Sequence, residues 1–103
     1  MSNVSAGPML DAEIARRYGL EPAAYSTDSG AAIRLIEYLY ARHAYIAIES
    51  VYRDENGENG DPVWRVEIDY ENSVPPVPHA CAVTMPEAIC RAALLAKPEG
   101  VPA

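Results

Sequence analysis

Phenylalanine is absent from the 103 residues, lysine occurs once, and cysteine twice. Each shortage excludes something. Without Phe, the aromatic bulk of the core falls to Trp64 and seven tyrosines, which carry a polar handle as well as area. With one Lys and seven Arg, scattered singly apart from Arg16-Arg17, the chain lacks the basic tracts that displace phosphate counterions, so non-specific DNA or RNA binding is not expected. Cys81 and Cys90 do not make a disulfide scaffold, and the economical reading is a reduced, cytosolic protein. No apolar run approaches the roughly 20 residues of a membrane span. Met1 to Pro8 has neither a basic start nor an apolar centre, and reads as a loose tail instead of a signal peptide.

What is present is half apolar and strongly acidic, with fifteen acids against eight bases and a formal charge of −7. That apolar content argues against disorder. A chain this long makes one domain, burying roughly 60–70% of its unfolded surface without staples. The sequence predicts a single domain over residues 9–97, between tails at 1–8 and 98–103.

Local patterns supply the elements. Leu10, Ile14 and Tyr18 recur at helical spacing, with Gly19 placed to end the helix and Pro22 to bar its continuation. This short helix docks on the rest of the fold or on a second subunit, which would make a homo-oligomer. Ser26, Thr27 and Asp28 are capping residues ahead of a second helix predicted over 29–43. Its apolar stripe is read as Ala32, Ile33, Ile36, Leu39, Tyr40 and His43. The period then becomes two. Ile46, Ile48, Ser50 and Tyr52 share one face of a strand, and Trp64, Val66, Ile68 and Tyr70 form the core face of a second, with Arg65, Glu67 and Asp69 opposite. Two Asn-Gly pairs within Asp54–Pro62 signal the hairpin between them.

The Pro-rich stretch 73–78 cannot be a central strand. A third strand over 79–84 would put His79, Cys81 and Val83 on one side. Thr84-Met-Pro-Glu87 reads as a capping box opening a final helix to Lys97, apolar nearly all round apart from Glu87 and Arg91. The expected class is α+β, two-layer: a short N-terminal helix, then α-β-β-β-α with a three-stranded antiparallel sheet under helices two and three. Double-stranded RNA-binding domains share the α-β-β-β-α order, but this chain lacks their basic residues.

Tyr25-Ser-Thr-Asp28, the helix through Ile36, the Trp64-Arg-Val-Glu67 strand and Ala88-Ile-Cys-Arg-Ala-Ala-Leu-Leu95 resemble the phage ABA sandwich proteins. These are small phage and prophage proteins with no common known activity. The likeness spans residues 9–97 and carries no catalytic signature. It implies a fold and a phage-type protein working in the cytoplasm of a bacterial host.

No catalytic constellation stands out, so the chain is read as non-enzymatic. His43 at a helix end suits a cation facing carbonyl dipoles. Cys81 and Cys90 are expected to be small buried apolar residues. His79, Cys81 and Cys90 offer three zinc ligands without a fourth, so no metal is expected. The run from Asp54 has Asn59 at the sixth position and Arg65 at the twelfth, and so fails the calcium-loop pattern. Gly57 and Gly60 join strand to strand, so they form no phosphate loop and no cofactor is expected.

Charge placement is the strongest signal. From Glu49 to Glu71 lie eight acids against Arg53 and Arg65, so this hairpin carries six of the seven net negative charges. It reads as a solvated edge guarded against strand addition, or as a surface for a basic partner. On the second reading Glu55, Glu58, Asp61, Glu67 and Asp69 bind a host protein or complex with a basic surface, such as a CRISPR effector, and inhibit it. The alternative is an oligomeric sponge for a small nucleotide signal, needing cations such as Arg16, Arg17, Arg34 and Arg42 gathered round a pocket.

Overall fold

The computed structural model describes residues 6–42, 44–52, 62–70 and 78–96. Three helices, α1 (Pro8–Tyr18), α2 (Ser29–Ala41) and α3 (Met85–Leu95), accompany three strands, β1 (Tyr45–Tyr52), β2 (Pro62–Asp69) and β3 (His79–Ala82). The sheet is antiparallel in the order β1-β2-β3, as the α+β reading requires. β1 spans the predicted residues. β2 starts and ends one residue early, leaving Tyr70 just beyond it, β3 stops two short of Thr84, and α2 and α3 each end two residues before their predicted limits. His43 lies outside the described residues.

The helix ends show why the chain breaks where it does. Gly19 closes α1 with a left-handed backbone, φ 66°. A side chain there would strain the backbone, and glycine avoids that cost. Of the three candidate caps before α2, Asp28 does the capping, its carboxylate accepting from the Ala31 amide at 2.8 Å. That bond satisfies one of the donors a helix start leaves unpaired. Ser26 is spent elsewhere. It is buried, accepts from the Gly7 amide at 2.8 Å, and donates through its own amide and hydroxyl to Asp11, tying the start of α1 to the loop before α2. Thr84 caps α3 by accepting from the Glu87 amide at 3.4 Å. Glu87 turns its carboxylate to Arg91 one helical turn on, at 2.8 Å.

The large aliphatic side chains of the core are Leu10 and Ile14 of α1, Leu35 and Leu39 of α2, Val66 and Ile68 of β2, and Ile89 of α3. Full burial of one such aliphatic side chain contributes about 1.5–3 kcal/mol. α3 lies across β2 and β3. Its Ala88, Ala92 and Ala93 are buried, small enough to bring the sheet and the other helices close. α1 and α2 pack against α3, and α2 touches β1 only sparingly.

Three expectations are corrected by this packing. Ile33 and Tyr40 do not face the core: they are 40% and 73% exposed, and Ala31 and Leu35 take the inward positions beside Ala32 and Leu39. Trp64 and Ile36 are half-buried at the margin. Cys81 is exposed, since Ala80 and Ala82 are the β3 residues that turn toward the core.

The tyrosines knit elements through their hydroxyls. Tyr18 donates to the Ala93 carbonyl at 2.5 Å, Tyr38 to the Tyr18 carbonyl at 3.3 Å, and Tyr25 to the Glu21 carbonyl at 2.5 Å. The Tyr18 and Tyr38 rings meet edge to face with centroids 6.1 Å apart. The Arg42 guanidinium sits 4.5 Å from the Tyr38 ring centre. Both contacts set positive charge against the negative face of a ring. Burial pushes the Tyr18 hydroxyl up to about 12, with Tyr70 and Tyr38 nearby adding to the effect and Arg17 opposing it. Such a group stays a neutral donor at physiological pH.

Candidate functional site

The helices lie on one side of the sheet, and strand alternation assigns the other side. Tyr45, Ala47 and Glu49 of β1, Arg65, Glu67 and Asp69 of β2, and His79 and Cys81 of β3 share the parity opposite to the core residues. Register arranges them in rows. Tyr45 stands opposite Asp69, Ala47 opposite Glu67 and then His79, and Glu49 opposite Arg65 and then Cys81. The described part of this face therefore carries three carboxylates and one guanidinium.

That guanidinium is occupied. Arg65 reaches Glu49 across the strands at 3.1 Å and Glu67 along its own strand at 2.6 Å. Burial works against its charge, but hydrogen bonds and attraction to Glu49 and Glu67 outweigh that and raise its pKa above the usual guanidinium value. A nearby opposite charge always favours the ionised form in this way. Asp69 accepts from the neighbouring Tyr70 amide at 2.9 Å. The face presents fixed negative charge beside the apolar rims of Tyr45, 64% exposed, and Val83, 70% exposed.

Glu67 and Asp69 thus lie together on the open sheet face. Glu55, Glu58 and Asp61 lie outside the described residues. His79 and Cys81 share the face two residues apart, both exposed. Cys90 is buried in α3, where burial first, and Asp11 and Glu87 second, push its thiol up to about 12. It is kept protonated and unreactive. Among the described residues no group of three or more His, Cys, Asp and Glu is close enough to hold a metal ion. No helix among them is long and apolar enough to cross a membrane.

Among the described residues, three of the four arginines named for a nucleotide pocket already have partners. Arg16 pairs with Glu13 on α1, Arg17 donates to the Ala96 carbonyl at 2.8 Å, and Arg42 covers Tyr38. Arg34 is exposed on α2. A second surface feature went unread in the sequence: a groove of about 500 Å³ between α2 and β1, lined by Ile36, Glu37, Tyr40, Ile46 and Ile48. Its one charged residue is an acid. The signal for it was in the chain, because α2 carries apolar residues on more of its circumference than one buried stripe needs.

Comparison with known proteins gives no match among protein-family models, curated proteins or solved structures.

Proposed function

We propose that the protein works by binding, without catalysis, and that the open sheet face with its acidic hairpin meets a basic surface on a host protein complex. The observation that supports this is the Glu49–Arg65–Glu67 arrangement. Two carboxylates share the one arginine among the described residues of the face, so Asp69 and the surplus of the pair leave it net negative. The segment that joins β1 to β2 in sequence adds Glu55, Glu58 and Asp61. Exposed charge of one sign accelerates encounter with the opposite sign more than it adds final affinity.

The resemblance to phage ABA sandwich proteins directs the search for that partner to bacterial host-defence complexes. CRISPR effectors are among them, and they hold nucleic acid in basic channels. Capture from host lysate with mass spectrometry identifies the partner. Association rates at two salt concentrations then test the surface. Glu67→Gln with Asp69→Asn, and Glu55→Ser with Glu58→Ser and Asp61→Asn, should each slow association and flatten its salt dependence. Association rates equal to the parent protein's in both variants would end the proposal.

A further inference from the structure

α1 is attached to the molecule differently from the other helices. Among the described residues its backbone comes close to one other element, α3, whereas α3 is also seated on α2, β2 and β3. Leu10 and Ile14 are its two fully buried side chains, and Met9, Ala12 and Arg16 face water. Its hydrogen bonds to other parts of the chain fall in its first and last turns. At the start, Asp11 accepts from the amide and the hydroxyl of Ser26, each at 2.7 Å, and the Gly7 amide donates to the same hydroxyl at 2.8 Å. At the finish, Arg17 and Tyr18 donate to the Ala96 and Ala93 carbonyls, and the Tyr18 carbonyl accepts from Tyr38 of α2.

The same two ends carry the two glycines of positive φ found among the described residues, Gly7 at 132° and Gly19 at 66°. With ψ at −163°, Gly7 occupies a region open to glycine almost alone. A Cβ built at either position meets no atom within 4 Å, so both glycines serve backbone conformation and not packing. Glycine crosses between the two signs of φ at little cost, which suits a point where the chain must turn.

We infer that α1 is a strap, opening and reclosing over α3 as one unit, released at Gly7 and hinged at Gly19, while α2, α3 and the sheet stay folded. An 11-residue helix is too short to hold its own turns in water, so the opened strap melts and its amides lose protection together. α3 keeps its seat on α2, β2 and β3, which share the core of Leu35, Leu39, Val66, Ile68 and Ile89. Opening bares Leu10 and Ile14 without unfolding the sheet. The strap lies on the helix side of the molecule, so it and the acidic face stand or fall separately.

Native-state hydrogen exchange of the full chain, resolved by residue with NMR at several low urea concentrations, tests the strap. Amides of residues 11–18 should share one protection factor, about tenfold or more below those of α3 and β2. Their urea dependence should be flatter, because opening the strap exposes less surface than global unfolding. Ile68→Val weakens only the part that stays folded, so it should lower protection in α3 and β2 about fivefold and leave α1 unchanged. Tyr18→Phe removes a tie of the closed form, from which every opening starts, and should speed exchange in all three elements by about fivefold. Gly19→Ala should act in the same direction through the backbone alone. Equal protection and equal urea slopes across α1, α3 and β2 would overturn the inference. So would a loss in α1 on Ile68→Val matching that in β2, or exchange unchanged by both Tyr18→Phe and Gly19→Ala. Rates graded residue by residue from the ends of α1, or an α1 with no protection, would overturn it as well.

Discussion

α2 and α3 have similar lengths and capped starts, yet they hold opposite positions in the molecule. α3 is enclosed. The sheet lies on one side and α1 and α2 on the others, and Ala88, Ile89, Cys90, Ala92 and Ala93 are all buried. α2 is a wall: Ala31, Ala32, Leu35 and Leu39 face in, while Ile33 and Tyr40 face water. The difference shows that apolar content alone does not place a helix at the centre. Side-chain size decides it, since small residues let three neighbours approach one axis. Bulky Ile and Tyr on the outer side of α2 hold neighbours off and leave a groove.

The sharpest way to break this comparison is truncation. Ile89 in α3 and Leu39 on the inner side of α2 are both fully buried. Ile89→Ala and Leu39→Ala should each cost about 2–5 kcal/mol, read from denaturant midpoints. If either change proved neutral, the assignment of inner faces would fail.

Alkali tests the enclosure of α3 next. Cys90 and Tyr18, which bonds to α3 through Ala93, both have folded-state pKa values pushed up to about 12. The neutral forms are the ones the fold favours. The associated stability is whole below the unfolded-state values of 9.0 for the thiol and 10.0 for the phenol, and it drains as pH rises through that range towards 12. Melting temperature should hold from pH 7 to about 9 and then fall, because the unfolded chain gives up these protons first. Cys90→Ala should remove the thiol's share of that decline. In the native protein a thiol reagent should label Cys81 promptly and Cys90 only on unfolding, as mass spectrometry of labelled peptides would show.

The caps separate the helices more finely. The Thr84 bond to the first turn of α3 is the longer of the two, 3.4 Å against 2.8 Å for Asp28. Asp28→Ala should therefore cost about 1 kcal/mol, and Thr84→Ala less. Equal losses would mean that distance is not what sets the two caps apart. Smallest of all, Ile33→Ala on the outer side of α2 should change monomer stability by no more than about 0.5 kcal/mol. A loss comparable to that of Leu39→Ala would show that this side is covered.

The elements and their order were legible because each carried a strong local signal. Alternation gave β1 and β2, Asp28 and Thr84 marked helix starts, and Gly19 marked a stop. Orientation was less legible. α2 has apolar residues at Ala31, Ala32, Ile33, Leu35, Ile36, Leu39 and Tyr40, and that set contains two overlapping stripes. Which one turns inward depends on where α3 lies, a fact distant in sequence. β3 posed the same difficulty in period two. His79 and Cys81 were correctly paired on one side, but only the register of Ala80 against Val66 decides that this side is the open one. Glu67 and Asp69 were placed on the right face by the neighbouring Val66 and Ile68, whereas the groove showed only as the surplus apolar residues of α2, with nothing in the sequence to set them against Ile46 and Ile48.

The bonds from Arg17 to Ala96 and from Tyr18 to Ala93 join the first helix to the end of the last, across 79 and 75 residues of chain. A ribosome adding about 5–20 residues each second needs roughly 4–16 s to make that interval. For that time Leu10 and Ile14 have no α3 to lie against. The nascent chain must carry them unburied, as a ready target for chaperones, until the last helix emerges and the two ends clasp.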